Sequence, residues 1–437
     1  MHFKKLALGV AAAAMLGSGL MSGATPAQAE DSIYIPLLTY RTGPFAGSGT
    51  PIADGQHDYF TMLNERDGGI GGVKLVVEEC ETGYNAQKGV ECYEGTKGKG
   101  AVVYNPYSTG ITLQLIPKAP VDKIPILSAG YGLSATAIGK MFPWTFNFPA
   151  TYWSQMSAII KYIDSQDGGI KGKKIGFIYL DVGYGREPIP VLEELAGEMG
   201  FEVLKIPVGV KEMQNQSSHW LQVRKEKPDY MIMWGWGAMN PTAIKEAAKI
   251  RYPMDKFIGV WWSGGNVDLR PAGDGGKGYK SANFHATGAE FGAMQDILKY
   301  VVDKGLSQAK RETVGDNYYN RGVNNAVLVA EAIRTAQEKT GVKAITGVEM
   351  RIGLENLNLT TERLAEIGLE GFTNPIKVTC EDHAGAHPIY IQQWDGKGWS
   401  KVSEWLTPMT ERVRPKLEAA AAEWVKDKPG WQTQDCM

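Results

Sequence analysis

From residue 32 onward the chain repeats one local pattern: a short β-branched or apolar run, a turn, then a stretch with helical spacing. The runs at 32–38, 73–79, 101–104, 124–128, 174–180, 202–207, 229–234 and 257–262 predict strands. The stretches at 52–65, 85–96, 152–165, 187–199, 215–226, 241–250, 290–304 and 320–338 predict helices. Apolar strands alternating with helices predict parallel sheets covered on both faces. Two series of such units follow one another, one over about 32–147 and one over about 153–280, with Phe146-Asn147-Phe148-Pro149-Ala150 between them. The pattern changes near 281–289. The two helices that follow have no strong strand between them. The segment 387–405 alternates around Asp395-Gly396 and reads as a hairpin, and a polar helix is expected near 409–426. The fold class this predicts is α/β: two doubly wound lobes, with the chain crossing between them more than once. Local signals agree. Asn240-Pro241 reads as an N-cap and first helical residue, and Asp67-Gly68-Gly69 and Asp167-Gly168-Gly169 read as glycine helix ends.

Residues 1–29 stand apart. Lys4 and Lys5 precede the apolar run Leu6–Leu16, and Ala27-Gln28-Ala29 forms an A-x-A cleavage pattern. This is the layout of a secretory signal peptide, and the run is too short for a membrane span, which needs about 20 apolar residues. The mature protein is expected in the bacterial periplasm. Lys+Arg is 46 against 48 Asp+Glu, and losing the signal segment removes two lysines and no acid. That balance argues against a nucleic-acid binder, which needs a basic face. In an exported chain the four cysteines favour disulfides. Three pairings are possible. Cys80 ends a strand and Cys92 lies in the helix folded back on it, which favours Cys80–Cys92 and leaves Cys380–Cys436. Four reduced thiols are the alternative.

Enzyme motifs fail. The chain has no G-x-S-x-G, no H-E-x-x-H and no phosphate-binding G-x-x-x-x-G-K-S/T. Gly235-Trp236-Gly237 is a faint dinucleotide echo, with Asn240 in place of the third glycine and a bulky Trp236 in the way. Cys380, His383 and His387 have ligand-like spacing but lack a second nearby cysteine, so neither a metal nor a cofactor is expected, and no catalytic residue is assigned. What remains are strand ends rich in glycine, small polar residues and aromatics, the place where parallel sheets bind ligands. These are Tyr107-Ser108-Thr109-Gly110, Ser128-Ala129-Gly130-Tyr131, Asp181-Val182-Gly183-Tyr184-Gly185, Trp234-Gly235-Trp236-Gly237 and Trp261-Trp262-Ser263-Gly264-Gly265-Asn266.

Over nearly all of 30–437 the chain resembles the periplasmic solute-binding proteins of ABC transporters, of the branched-chain amino acid type. The resemblance rests on Leu38-Thr39-Tyr40-Arg41-Thr42-Gly43-Pro44-Phe45-Ala46-Gly47, on Asn64-Glu65-Arg66-Asp67-Gly68-Gly69-Ile70-Gly71-Gly72, and on Asp181, Tyr184 and Gly185 as D-x-x-Y-G. It implies a type I periplasmic binding protein with parallel central sheets and three crossovers. The N-terminal lobe would be 30–147 with 289–375, the C-terminal lobe 153–280 with 385–437, and the hinges 148–152, 281–288 and 376–384. It also implies a monomer that catalyses nothing, holds a small ligand between its lobes and hands it to inner-membrane ABC permease subunits. A disulfide near Cys80 is familiar in that family.

Carried over by position, Ser108 and Thr109 match the carboxylate holders, and Ser128, Ala129 and Tyr131 match the strand-end backbone beside the ligand. Tyr184 and Trp236 match ligand-facing aromatics, and Tyr107, Trp262 and Asn266 from the strand ends and Phe45 from the opening motif complete the candidate set. One departure matters. Members that bind amino acids place a carboxylate for the ligand ammonium after the strand matching 257–262, and here no acid occurs before Asp268. The expected ligand is therefore an aromatic or apolar carboxylate. Asp181 leaves one acid near the cleft. A branched-chain amino acid, or a ligand-sensing module of the same fold, is the alternative.

Overall fold

Strand β1 (Ser32–Thr39) is buried from Ile33 onward, as expected of a strand covered on both faces. The computed structural model describes residues 32–385 and 387–436, and the signal segment expected at 1–29 lies outside them. β1 pairs in parallel with β2 (Lys74–Glu81), from Ser32 opposite Lys74 to Thr39 opposite Glu81. On its other side it bridges to Ala101 and Asn105. Tyr104 bridges to β3 (Ile126–Leu127), which pairs in parallel with β4 (Thr145–Phe146). The expected strand at 101–104 is thus present only as isolated bridges. Helices α1 (Ala46–Asp67), α2 (Ala86–Lys97) and α3 (Thr109–Leu115) accompany this sheet. α1 starts six residues before the expected 52. Pro51 lies inside the helix, in its second turn.

The second sheet is built around β5 (Lys174–Leu180), β6 (Glu202–Val208), β7 (Tyr230–Trp234), β8 (Phe257–Gly259) and β9 (Lys280–Asn283), paired in parallel in the order β9-β8-β7-β5-β6. The expected hairpin forms as β10 (Tyr390–Trp394) and β11 (Trp399–Lys401), and β10 adds to β9 in antiparallel register. Helices α4 (Tyr152–Asp164), α5 (Ile189–Met199), α6 (Ser217–Glu226) and α7 (Met239–Lys249) belong to this series. Asn240 is not the N-cap of α7, because the helix begins one residue earlier. Its buried amide instead donates to the Trp262 carbonyl at 2.9 Å.

Helix α8 (Asn317–Thr340) packs along α1. The approach is close because two glycines face backbone. A Cβ on Gly55 would stand 2.1 Å from the Tyr319 carbonyl oxygen, and one on Gly322 2.0 Å from that of Ile52. Two helices outside the expected set follow, α9 (Gly347–Glu355) and α10 (Thr361–Glu366), each opened by a threonine side chain that accepts a backbone N–H. The helix expected at 290–304 is shorter, Gly292–Ile297, and runs into one wider turn at Leu298–Val302.

The chain passes between the sheets at three places that lie side by side. Asn147 N donates to the His383 carbonyl at 2.8 Å, His387 N to that of Pro149 at 3.1 Å, and Ala286 N to that of Phe372 at 2.6 Å. Both disulfides follow the favoured pairing, Cys80–Cys92 and Cys380–Cys436, with Cα separations of 5.8 and 5.5 Å. Cys380 is therefore no metal ligand, and His383 stacks on Phe146 at 4.0 Å. No helix among the described residues is long and apolar enough to cross a membrane.

Gly322→Ala should destabilise the protein by about 1–3 kcal/mol, because the obstructing atoms are backbone and cannot rotate away. A urea titration of the variant beside its parent checks this.

Candidate functional site

The carboxyl ends of the strands in both sheets converge on one aromatic cluster. β1 delivers Tyr40, β2 leads into Tyr84, and the segment after Asn105 delivers Tyr107 and Thr109. The loop after β3 brings Tyr131, and α4 opens on Tyr152. From the second sheet, Tyr184 follows β5, Trp236 follows β7 and Trp262 follows β8. These nine residues enclose the cavity, whose free space of about 10 Å³ has room for about one water. Six are tyrosines, two are tryptophans, and none is charged.

The rings pack edge to face, the arrangement their quadrupoles favour. Trp236 meets Trp262 at 5.3 Å and Tyr40 at 6.4 Å, and Tyr131 meets Trp262 at 6.0 Å. Hydrogen bonds fix the walls. Tyr184 donates to the Gly235 carbonyl at 2.9 Å, and Tyr131 donates to Asn105 while accepting from Tyr107 N at 2.7 Å. Asn325 on α8 donates to the Tyr107 hydroxyl at 2.7 Å. Across the cleft, the indole N–H groups of Trp261 and Trp262 both donate to the Gly130 carbonyl, at 3.0 and 3.1 Å. Ala238 N donates to the Pro44 carbonyl at 3.0 Å. Burial pushes the phenols of Tyr84, Tyr107, Tyr131, Tyr152 and Tyr184 upward, so they stay neutral donors. The indole N–H of Trp236, beside the Tyr40 phenol, is buried without a partner of proper geometry.

Six of the residues expected from sequence line this cavity: Tyr107, Thr109, Tyr131, Tyr184, Trp236 and Trp262. The other five do not. Ser108 caps α3 by accepting from Ile111 N at 3.3 Å. Ser128 donates to the Phe146 carbonyl at 3.2 Å, and Ala129 is buried beside it. Phe45 packs behind Tyr84 with centroids 4.3 Å apart. Asn266 faces a separate groove and accepts from Asn317 N at 3.1 Å, because the glycines at 264 and 265 carry the chain past the cavity. Tyr40, Tyr84 and Tyr152 were not singled out from sequence. The strand-end rule, applied to β1 and β2, points to the first two. Tyr152 has no such signal, since it opens a helix after a crossover.

The acids near the cleft are committed elsewhere. Asp181 accepts from Arg186 at 2.6 Å near the surface. Asp268 is buried, and its Oδ2 accepts from Tyr318 at 2.5 Å, Gly265 N at 3.0 Å and Asn240 at 3.2 Å. Burial outweighs those bonds and pushes its carboxyl up to about 7. Burial likewise pushes Glu187 up to about 7, although Ser134 N donates to it at 2.8 Å.

A model of the family described as periplasmic binding protein matches residues 32–399. A search of the curated proteins finds no match. Among solved structures, a protein described as an ABC transporter permease from the Pseudomonas fluorescens group is 39% identical, with a TM-score of 0.86 over 93% of this chain and 100% of that one. A branched-chain amino acid ABC transporter protein from Thermus thermophilus with bound valine is 21% identical, with a TM-score of 0.73 over 88% and 98%. An ABC transporter solute-binding protein from R. palustris in complex with benzoate is 16% identical, with a TM-score of 0.66 over 86% and 97%.

Asp268 and Glu187 ionise near 3.8 and 4.5 when unperturbed and stay protonated to about 7 in the fold. In that window the folded state holds the extra protons. Their contribution to stability is therefore fully present below about pH 4 and is lost as pH rises to 7. Asp268→Asn cannot ionise. Between pH 4 and 7 it should gain on its parent by on the order of 2–4 kcal/mol, read from urea midpoints measured across that range.

Proposed function

This chain belongs to the periplasmic binding protein family, and we propose that it captures a small aromatic or apolar carboxylate between two lobes for an ABC importer. Substrate binding for an ABC transporter is the role of the family, and nothing in that role asks for catalysis. Family membership fits a place outside the cytoplasm. Export through a cleaved signal at 1–29 and residence in the periplasm as a monomer complete the proposal.

The observation that carries the ligand class is the cavity wall, which has eight aromatic residues, one threonine and no acid. An α-ammonium shut into such a site lacks a partner, at a cost of several kcal/mol. A flat ring fits better. Burying about 100 Å² of ring face contributes roughly 2–3 kcal/mol at ~25 cal/mol/Å². The hydroxyl of Thr109, the phenol of Tyr107, which accepts from Asn325 and keeps its own O–H free, and the unpartnered indole N–H of Trp236 can donate to carboxylate oxygens. The space of about 10 Å³ is far below what an aromatic acid fills, so the lobes must part to admit it. The three neighbouring crossovers, at 148–152, 281–288 and 376–384, are the proposed hinges. The proposed lobe division is 30–147 and 289–375 on one side, 153–280 and 385–437 on the other.

A thermal-shift comparison of benzoate, 4-hydroxybenzoate, leucine and valine tests this. The aromatic acids should raise the melting midpoint, with about 2.7 kcal/mol gained at 100-fold excess over Kd. A shift with leucine or valine and none with the aromatic acids overturns the proposal in favour of an amino-acid carrier. Trp236→Ala should weaken the best aromatic acid at least tenfold by calorimetry.

A further inference from the structure

Arg321 on α8 is completely buried, and none of its hydrogen-bond acceptors is a carboxylate. Its Nε donates to His285 Nε2 at 2.6 Å, and its two terminal nitrogens donate to the Trp261 carbonyl at 3.2 Å and to Asn283 Oδ1 at 2.8 Å. His285 Nδ1 sits 2.9 Å from the Ala286 carbonyl. That contact places the ring proton on Nδ1 and leaves Nε2 a neutral acceptor. Burial and the adjacent guanidinium both push His285 down, so it stays neutral. A buried cation in such company is incompletely compensated.

The surroundings show where its field is directed. The guanidinium lies over the Trp262 ring at 4.8 Å and the Phe284 ring at 4.2 Å, and Trp262 also lines the cavity. One helical turn on, Asn325 projects from the same face of α8 and holds the Tyr107 hydroxyl, another cavity group. The Arg321 charge offsets part of the upward push of burial on that phenol. The buried acids near the cleft, Asp268 and Glu187, are held protonated up to about 7.

We propose that Arg321 is the charge-specificity determinant of this cavity, favouring anionic over neutral ligands of the same shape from behind Trp262 and Tyr107, without touching them. The proposal rests on the aromatic-carboxylate reading of the site. Opposite unit charges about 8–10 Å apart at an effective dielectric near 20 favour each other by roughly 15- to 30-fold.

Calorimetry at pH 6 with benzoate and benzamide, alike in ring and shape but not in charge, tests it. Arg321→Gln should weaken benzoate roughly 10- to 30-fold and benzamide less than threefold, while Arg321→Lys keeps the preference. Asn283→Asp, which hands Arg321 the carboxylate it lacks, should abolish the preference with the arginine in place, and it serves if Arg321→Gln does not fold. A benzoate-to-benzamide ratio that survives both Arg321→Gln and Asn283→Asp overturns the proposal. A second readout needs no ligand. A Thr109→Cys thiol in the cavity should ionise about one pH unit higher when combined with Arg321→Gln or Asn283→Asp than alone, and equal values overturn the proposal. If the parent binds neither probe, the aromatic-carboxylate reading fails, and the thiol alone decides the role of Arg321.

Discussion

One carbonyl oxygen, that of Gly130, holds the two halves of the site in register. It belongs to the loop after β3 and accepts two indole N–H groups, from Trp261 and Trp262, that belong to the loop after β8. The arrangement depends on glycine. Its φ of +77° is one that other residues avoid, and a Cβ there would lie 3.1 Å from the Trp261 ring. With that contact made, Trp262 is fixed against Tyr131 and Trp236, and the aromatic wall closes around them. It acts together with the Ala238–Pro44 backbone bond and with the bonds that α8 makes to the loop after β8, from Tyr318 to the Trp262 carbonyl and from Arg321 to the Trp261 carbonyl.

Much of this was legible in the chain, and for identifiable reasons. Buried parallel strands such as 174–180 and 229–234 advertise themselves as apolar runs, and the glycine after Asp67 marks a helix end with a φ of +74°. Strand ends with small and aromatic residues pointed to Tyr107, Tyr131, Tyr184 and Trp236. The failures share a cause, because tertiary contacts decided them. Asn240 carries an N-cap signature, yet the Trp262 carbonyl and Asp268 claim its side chain. Ser108, expected beside a ligand, spends its oxygen on the cap of its own helix. Asn266 sits in a loop that contributes Trp262 to the cavity, but two glycines turn the chain away before it is reached. Tyr152 belongs to no strand end, and only the return of the chain from the first crossover brings it to the site.

Charge is layered around the cavity rather than placed in it. The innermost shell is neutral, made of phenols that burial keeps protonated and indoles. The next shell holds Asp268, Arg321 and His285, each completely buried. Each is tied to groups that also shape the fold: Asp268 to Tyr318 and Asn240, Arg321 to the Trp261 carbonyl and Asn283. Burial makes charge expensive there and is felt in both directions, raising the carboxyl and lowering the guanidinium to about 9. A wall of this kind leaves shape and ring contact to the inner layer and the sign of the preferred ligand to the outer one.

The paired indoles over Gly130 give the molecule an optical signature of its own state. If the cleft parts as proposed, both rings exchange a fixed carbonyl for water, whereas Trp220, Trp234 and Trp394 lie wholly inside and are insulated from that change. Intrinsic emission should therefore shift to longer wavelength on parting and return on closing. Gating could then be followed in real time, with no dye attached to the protein.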